Sequence, residues 1–174
     1  MTARHAALPR FLETAILVGL GVVAVGAALV PLGPGGALVP PDLLFGLVVA
    51  WVIRRPATAP LWAVLGLGLF ADLLMSRPLG LGALGLVLAS EWFRARAGRF
   101  QSAPFLLEWL ALGLAFSVVL AAMQVALTLV FADGPGLAAL ARYAVATLLA
   151  YPLIVLGLTW CLGLGPATAA RGAR

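Results

Sequence analysis

The chain has 174 residues, 64% of them hydrophobic and 10% charged, with a mean hydropathy of +1.14. A water-soluble domain is typically about 45–50% apolar and about 25% charged, so this composition excludes an ordinary soluble fold. The net charge of +5 rests on 11 arginines with no lysine; they are strung along the breaks between apolar runs rather than gathered on one face, which favours membrane lipids as the partner and excludes nucleic acid.

Arg4 and Arg10 precede an apolar stretch longer than the core of a signal peptide and followed by further apolar runs. The expectation is therefore an uncleaved first helix over about residues 11–30, stopped by Pro31, Gly33, Pro34, Gly35 and Gly36. A second helix is expected over about 41–53, with Pro41 suited to its first turn and Asp42 favourable near its N-terminus. Arg54, Arg55 and Pro56 close it. A third runs over about 61–75 and turns tightly through Ser76, Arg77 and Pro78 into a fourth over about 79–93. A basic loop with Arg94, Arg96 and Arg99 leads to a fifth helix over about 105–131, and Asp133 to Gly136 turn into a sixth over about 140–164.

The fold class is thus an all-α integral membrane protein, residues 1–174 forming one polytopic domain with six transmembrane helices. The uncharged runs Thr14 to Pro41, Trp109 to Ala132 and Tyr143 to Ala170 each exceed the roughly 20 residues that cross a bilayer core. The middle helices are shorter. Asp42 to Ile53 is 12 residues, about 18 Å of helix against a core of about 30 Å. Short true spans with local thinning of the bilayer are expected there, rather than a re-entrant segment. With both termini cytoplasmic, nine of the 11 arginines fall inside and only Arg77 and Arg142 fall outside. Trp51, Trp62, Trp92, Trp109 and Trp160 then all lie at cytoplasmic helix ends, where indole rings favour the interface.

Few residues carry chemistry. Gly80, Gly82 and Gly85 match the spacing of a dinucleotide-binding turn, but no strand precedes them. Their expected role is close helix approach, shared with Gly19, Gly21, Gly26, Gly66 and Gly68. Asp72 is the costliest residue, because a buried carboxylate at a helix C-terminus opposes the macrodipole. It should find a cation, Arg77 or Arg142, and accept from the N–H groups opening the fourth helix near Gly80. That makes it a clamp on the hairpin of helices three and four, with an ion site as the sharper alternative.

Ser117, Ala121, Gln124 and Thr128 form a polar stripe on the fifth helix, and Tyr143, Thr147 and Tyr151 share a face of the sixth. Pro152 frees the carbonyl of Leu148 for another donor. Hydrogen bonds between helices are the expected role, a ligand cavity the alternative. Cys161 reads as a small core hydrophobe. His5 is the only histidine and lies in the N-terminal tail, and Asp42 and Asp133 sit near the edges. No enzyme activity, metal site or cofactor is expected.

The run Pro41-Asp42-Leu43-Leu44-Phe45 through Trp51, then Gly66 to Leu74 with Asp72, then Arg77-Pro78-Leu79-Gly80, resembles the rod shape-determining protein MreD family. Pro41, Trp51, Gly68, Asp72, Leu79 and Gly80 occupy the positions that carry the likeness, which covers about residues 40–93. The resemblance implies a non-enzymatic component of the bacterial inner membrane, part of the cell-elongation and peptidoglycan-synthesis machinery. Its implied partners are MreC, the MreB filament, and a SEDS-type polymerase with its transpeptidase. It also implies a fold similar to the substrate-binding subunits of energy-coupling-factor transporters. That likeness supplies a second expectation, a small-molecule-binding membrane subunit of a vitamin transporter, which needs a closed pocket with convergent donors.

Overall fold

The structure, a computed structural model, describes residues 9–30, 39–129 and 135–162, and every regular element among them is helical. In chain order these are α1 (Arg10–Ala28), α2 (Leu43–Arg54), a 3-10 turn (Pro56–Thr58), α3 (Leu61–Leu74), α4 (Leu81–Arg94), α5 (Ala97–Ser102), α6 (Phe105–Leu129) and α7 (Leu137–Leu162). Arg4, His5, Asp133, Arg171, Arg174, the Pro31 to Gly36 punctuation and the Cys161 side chain lie outside the described residues.

Each of the six expected helices is present within a few residues, with three corrections. Asp42 is the N-cap of α2, its Oδ1 accepting from Phe45 N at 2.9 Å, so Pro41 precedes the helix rather than opening it. The cap consumes a donor that would otherwise be orphaned. Gly80 is the N-cap of α4 in the left-handed conformation at φ 89°, which delays that helix to Leu81. The basic loop contains a further helix, α5, because Phe100 reaches the rings of Phe93 at 5.3 Å and Trp92 at 6.0 Å.

Three helices, α1, α6 and α7, are long and apolar enough to cross a membrane. The others are shorter: α2 has 12 residues, α3 and α4 have 14 each. The reason α2 can be short and apolar on every side is its position. Leu44 through Ile53 are buried without interruption, packed between α1, α4, α5 and α7. A helix apolar all round belongs inside. Outward-facing residues are apolar as well: Leu106, Leu110, Leu114 and Val118 follow one another along the open face of α6. A surface of that kind suits lipid rather than water as its solvent.

Side-chain pairs show that successive long elements run in opposite directions. Glu13 with Arg55, Arg54 with Glu108, and Arg94 with the Pro56 carbonyl gather one end of the bundle. Asp42 with Tyr143 and Arg77, and Asp72 with Gly80, gather the other.

The small residues divide by direction. A β-carbon on Gly68 would lie 2.7 Å from the Ala83 Cα, one on Gly21 2.7 Å from Leu67, and one on Gly85 2.5 Å from Val119. These glycines let α3 meet α4, α1 meet α3 and α4 meet α6. Gly19, Gly26 and Gly66 have nothing within 4 Å among the described residues and face outward. They do not serve the close approach expected of them. Trp51 is a further correction: it is buried, donating to Thr58 Oγ1 at 3.1 Å, and so does not sit at a lipid interface. Trp62, Trp92 and Trp160 are exposed.

Candidate functional site

The end of the bundle formed by the start of α2, the α3–α4 turn and the start of α7 holds a linked polar network. Asp42 is held there by its capping role, which leaves Oδ2 free to accept from the Tyr143 hydroxyl at 2.6 Å. Tyr143 in turn accepts from Arg77 Nη2 at 2.8 Å, and the guanidinium lies 3.7 Å from Asp42 Oδ2 and 5.6 Å from the tyrosine ring centroid. Thr147, one turn along α7, accepts from the Asp42 backbone N–H at 2.9 Å and donates to the Tyr143 carbonyl at 2.9 Å. The inward face of α7 expected from Tyr143, Thr147 and Tyr151 is thereby engaged at its first two positions.

Of the partners expected for Asp72, the N–H groups opening α4 are present and the arginine is not. The Asp72 side chain is 1% exposed and Oδ2 accepts from Gly80 N and Ala83 N, both at 3.0 Å. The N–H groups opening a helix have no partner of their own and carry partial positive charge, so they stabilise a carboxylate as a cation would. Arg77 is thereby released to Asp42. Its own backbone N–H closes the turn on the Asp72 carbonyl at 2.9 Å. Gly82 is required by the same geometry, since a β-carbon there would collide with Asp72 Oδ1. Pro78 is exposed on the turn and its carbonyl accepts from Leu81 N at 3.2 Å. Arg142 is exposed beside Tyr143 and joins neither carboxylate.

Between this network and the middle of α6 lies a cavity of about 620 Å³, within the usual range for ligand pockets. Among the described residues, Asp42, Asp72, Ser76, Arg77, Gln124 and Tyr143 are its polar lining, and apolar side chains such as Phe45, Phe116 and Leu120 supply most of the rest. Gln124 Oε1 is buried without a hydrogen-bond partner among the described residues. An unpaired carbonyl of that kind costs about 1–3 kcal/mol. The stripe expected on α6 does not act as one: Ser117 and Thr128 are exposed, the Thr128 hydroxyl bonding back to the Val125 carbonyl, and only Gln124 reaches the cavity.

The opposite end of the bundle carries a second polar cluster. Arg54 Nη1 lies 2.8 Å from Glu108 Oε1, their side chains 5% and 7% exposed, and Tyr151 also donates to Glu108 Oε1. Arg55 approaches Glu13 at 3.7 Å, while Arg94 caps the carbonyls of Pro56 and Ala59. Arg54 and Arg94 are thus structural partners inside the protein as well as basic residues at a helix end, while Arg55 pairs at the surface. Glu13 and Glu108 are the residues that sequence reasoning overlooked. Their signal was present: each is a lone glutamate among apolar residues, in the first turn of a long helix, where the macrodipole favours an anion.

Among the described residues no group of three or more histidine, cysteine, aspartate or glutamate side chains is placed to hold a metal ion. Compared with protein-family models, curated proteins and solved structures, the chain gives no match.

Proposed function

We propose that this chain is a non-enzymatic scaffold of the bacterial inner membrane, acting in the cell-elongation machinery as the MreD family does and binding MreC. Association with the MreB filament and with the SEDS-type polymerase and its transpeptidase follows from the same resemblance. The observation that carries the reading is the α3–α4 hairpin. Gly68, Asp72 and Gly80, on which the resemblance rests, are there joined in one unit with Gly82 by the Asp72 cap and by backbone contact.

In this reading α2, α3 and α4 are short passes, so the chain crosses six times, and the arginine-rich end faces the cytoplasm with both termini. The burial of α2 supports that arrangement, because its neighbours supply the surface that meets lipid. The arginine census agrees: Arg54, Arg55, Arg94, Arg96 and Arg99 are at one end, Arg77 and Arg142 at the other. A fold similar to the substrate-binding subunits of energy-coupling-factor transporters belongs to the same proposal. The vitamin-subunit reading stands second. It needs convergent free donors, whereas the Arg77 and Tyr143 donors of the cavity are directed at Tyr143 and Asp42.

The test is purification from detergent with identification of companions by mass spectrometry, together with reporter fusions at Gly98 and Gly136. Co-purification of MreC and opposite reporter signals are expected. A copurifying vitamin, or equal signals at the two fusions, would overturn the scaffold and the threading respectively.

A further inference from the structure

We propose that the cavity between α2, α3, α4, α6 and α7 binds an organic amine, a protonated nitrogen carried on an apolar body. The inference goes beyond the scaffold role and does not depend on it. Three observations converge on that chemistry.

The first is a surplus of negative charge. Among the described residues, the charged ones lining the cavity are Asp42, Asp72 and Arg77, two carboxylates against one guanidinium. Arg142, next to Tyr143 in the chain, is not part of the lining. The Arg77 guanidinium and the Tyr143 hydroxyl are spent on each other and on Asp42. An anionic ligand would meet a net negative lining, whereas a cation meets a field of the right sign.

The second is Gln124, whose Oε1 is buried and unpaired while the side chain lines the cavity. The last torsion of a glutamine is broad and roughly two-fold, so rotation exchanges the amide ends and presents the oxygen to a donor. An ammonium supplies donors and no acceptor, which complements an unpaired carbonyl oxygen.

The third is an aromatic wall. Phe45 and Phe116 have ring centroids 4.8 Å apart, and Phe116 and Tyr143 are 5.4 Å apart. All three line the cavity. Ring faces attract a cation in a desolvated site, and the apolar remainder, including Leu86, Leu120 and Leu127, accommodates the body of the molecule.

Such an amine has two sources, the headgroup of an aminophospholipid or a free organic amine. The experiment uses the full chain in nanodiscs of phosphatidylglycerol, titrated with 2-phenylethylamine, 2-phenylethanol and 3-phenylpropionate, which share a body and differ in the head. The amine should bind at least about tenfold more tightly than the other two, the difference expected for one charge-assisted hydrogen bond. Gln124→Leu should weaken it by about tenfold. Gln124→Glu should strengthen amine binding and abolish that of the propionate, and it decides the matter if Gln124→Leu fails to fold. If added phosphatidylethanolamine competes with the free amine, the lipid headgroup is the occupant; if it does not, a free amine is. Failure of the amine to bind, equal or tighter binding of the alcohol or the carboxylate, or unchanged amine affinity in the Gln124 variants would overturn the proposal.

Discussion

The Oδ1 atom of Asp72 stands where a β-carbon on residue 82 would have to go. One carboxylate therefore ties three features together: the end of α3, the first free N–H groups of α4, and the absence of a side chain at the second residue of α4. Gly82→Ala and Asp72→Ala should consequently damage the same contact. Each is expected to lower stability by about 1–3 kcal/mol, because Gly80 N and Ala83 N lose their acceptor in both. In the double variant the second substitution should add little, as for residues acting through one interaction. Asp72→Asn should be milder, since an amide oxygen still accepts. Thermal unfolding in detergent checks the order, wild type above Asn above Ala. Full additivity of the two alanine variants would show that Gly82 has a role of its own.

A second prediction contrasts two glycines of the same hairpin. Gly80 has φ 89°, where an L side chain is strained, although nothing among the described residues lies within 4 Å of its Cα substituent position. Gly80→Ala should cost about 1–2 kcal/mol through the backbone alone. Gly66 is in the interior of α3, faces outward and also has open space around it. Gly66→Ala should raise stability by about 0.5–1 kcal/mol by removing helix-interior flexibility. Melting temperatures of the two variants should move in opposite directions.

The helices were legible because proline, glycine and arginine fall between apolar runs, and that punctuation depends on local chemistry alone. The inward face of α7 was legible for a similar reason: Tyr143, Thr147 and Tyr151 recur at helical spacing. Direction is what the sequence withheld. Gly21 and Gly19 look alike in the chain, yet one meets Leu67 and the other meets nothing. The N–H partners of Asp72 were legible because Gly80 exposes the backbone that opens α4, whereas the expected arginine is not used, since those N–H groups already stabilise the carboxylate. The arginines were legible as an end of the bundle, but the long side chains of Arg54 and Arg94 fold inward to Glu108 and the carbonyls of the 3-10 turn, while Arg55 pairs with Glu13 at the surface. α5 hid behind its arginines, although Ala97 and Phe100 are spaced as one helical face.

The buried pair Arg54 and Glu108 leads to a third prediction. Removing one partner, as in Glu108→Leu, leaves a charge that is almost wholly enclosed, and should cost about 3–5 kcal/mol. The double variant Arg54→Met with Glu108→Leu should recover most of that loss, since two apolar residues fill the space without an unpaired charge. Yield and thermal stability of the three variants in detergent measure it. A double variant as unstable as the single one would mean that Arg54 is needed for more than neutralising Glu108, such as its bond to the Ala50 carbonyl at 3.0 Å.

The last prediction concerns Trp109, Leu148 and Pro152. Proline at 152 has no N–H, so the Leu148 carbonyl one turn earlier loses its helical donor. The indole of Trp109 fills the gap from α6, donating to that carbonyl at 2.8 Å. A tryptophan is thus the hydrogen-bonding partner of a break in the neighbouring helix. Trp109→Phe keeps a ring in place but leaves the carbonyl unpaired, at a cost of about 1–3 kcal/mol. Pro152→Ala restores an N–H at that turn and allows the bond within α7 to form. The loss caused by Trp109→Phe should therefore shrink when measured in the Pro152→Ala background, giving a favourable coupling of about 0.5–3 kcal/mol in a double-mutant cycle. The cycle separates this from simple packing, because a lost indole contact would cost the same whether residue 152 is proline or alanine. Zero coupling would mean that Trp109 stabilises α6 and α7 through its ring alone.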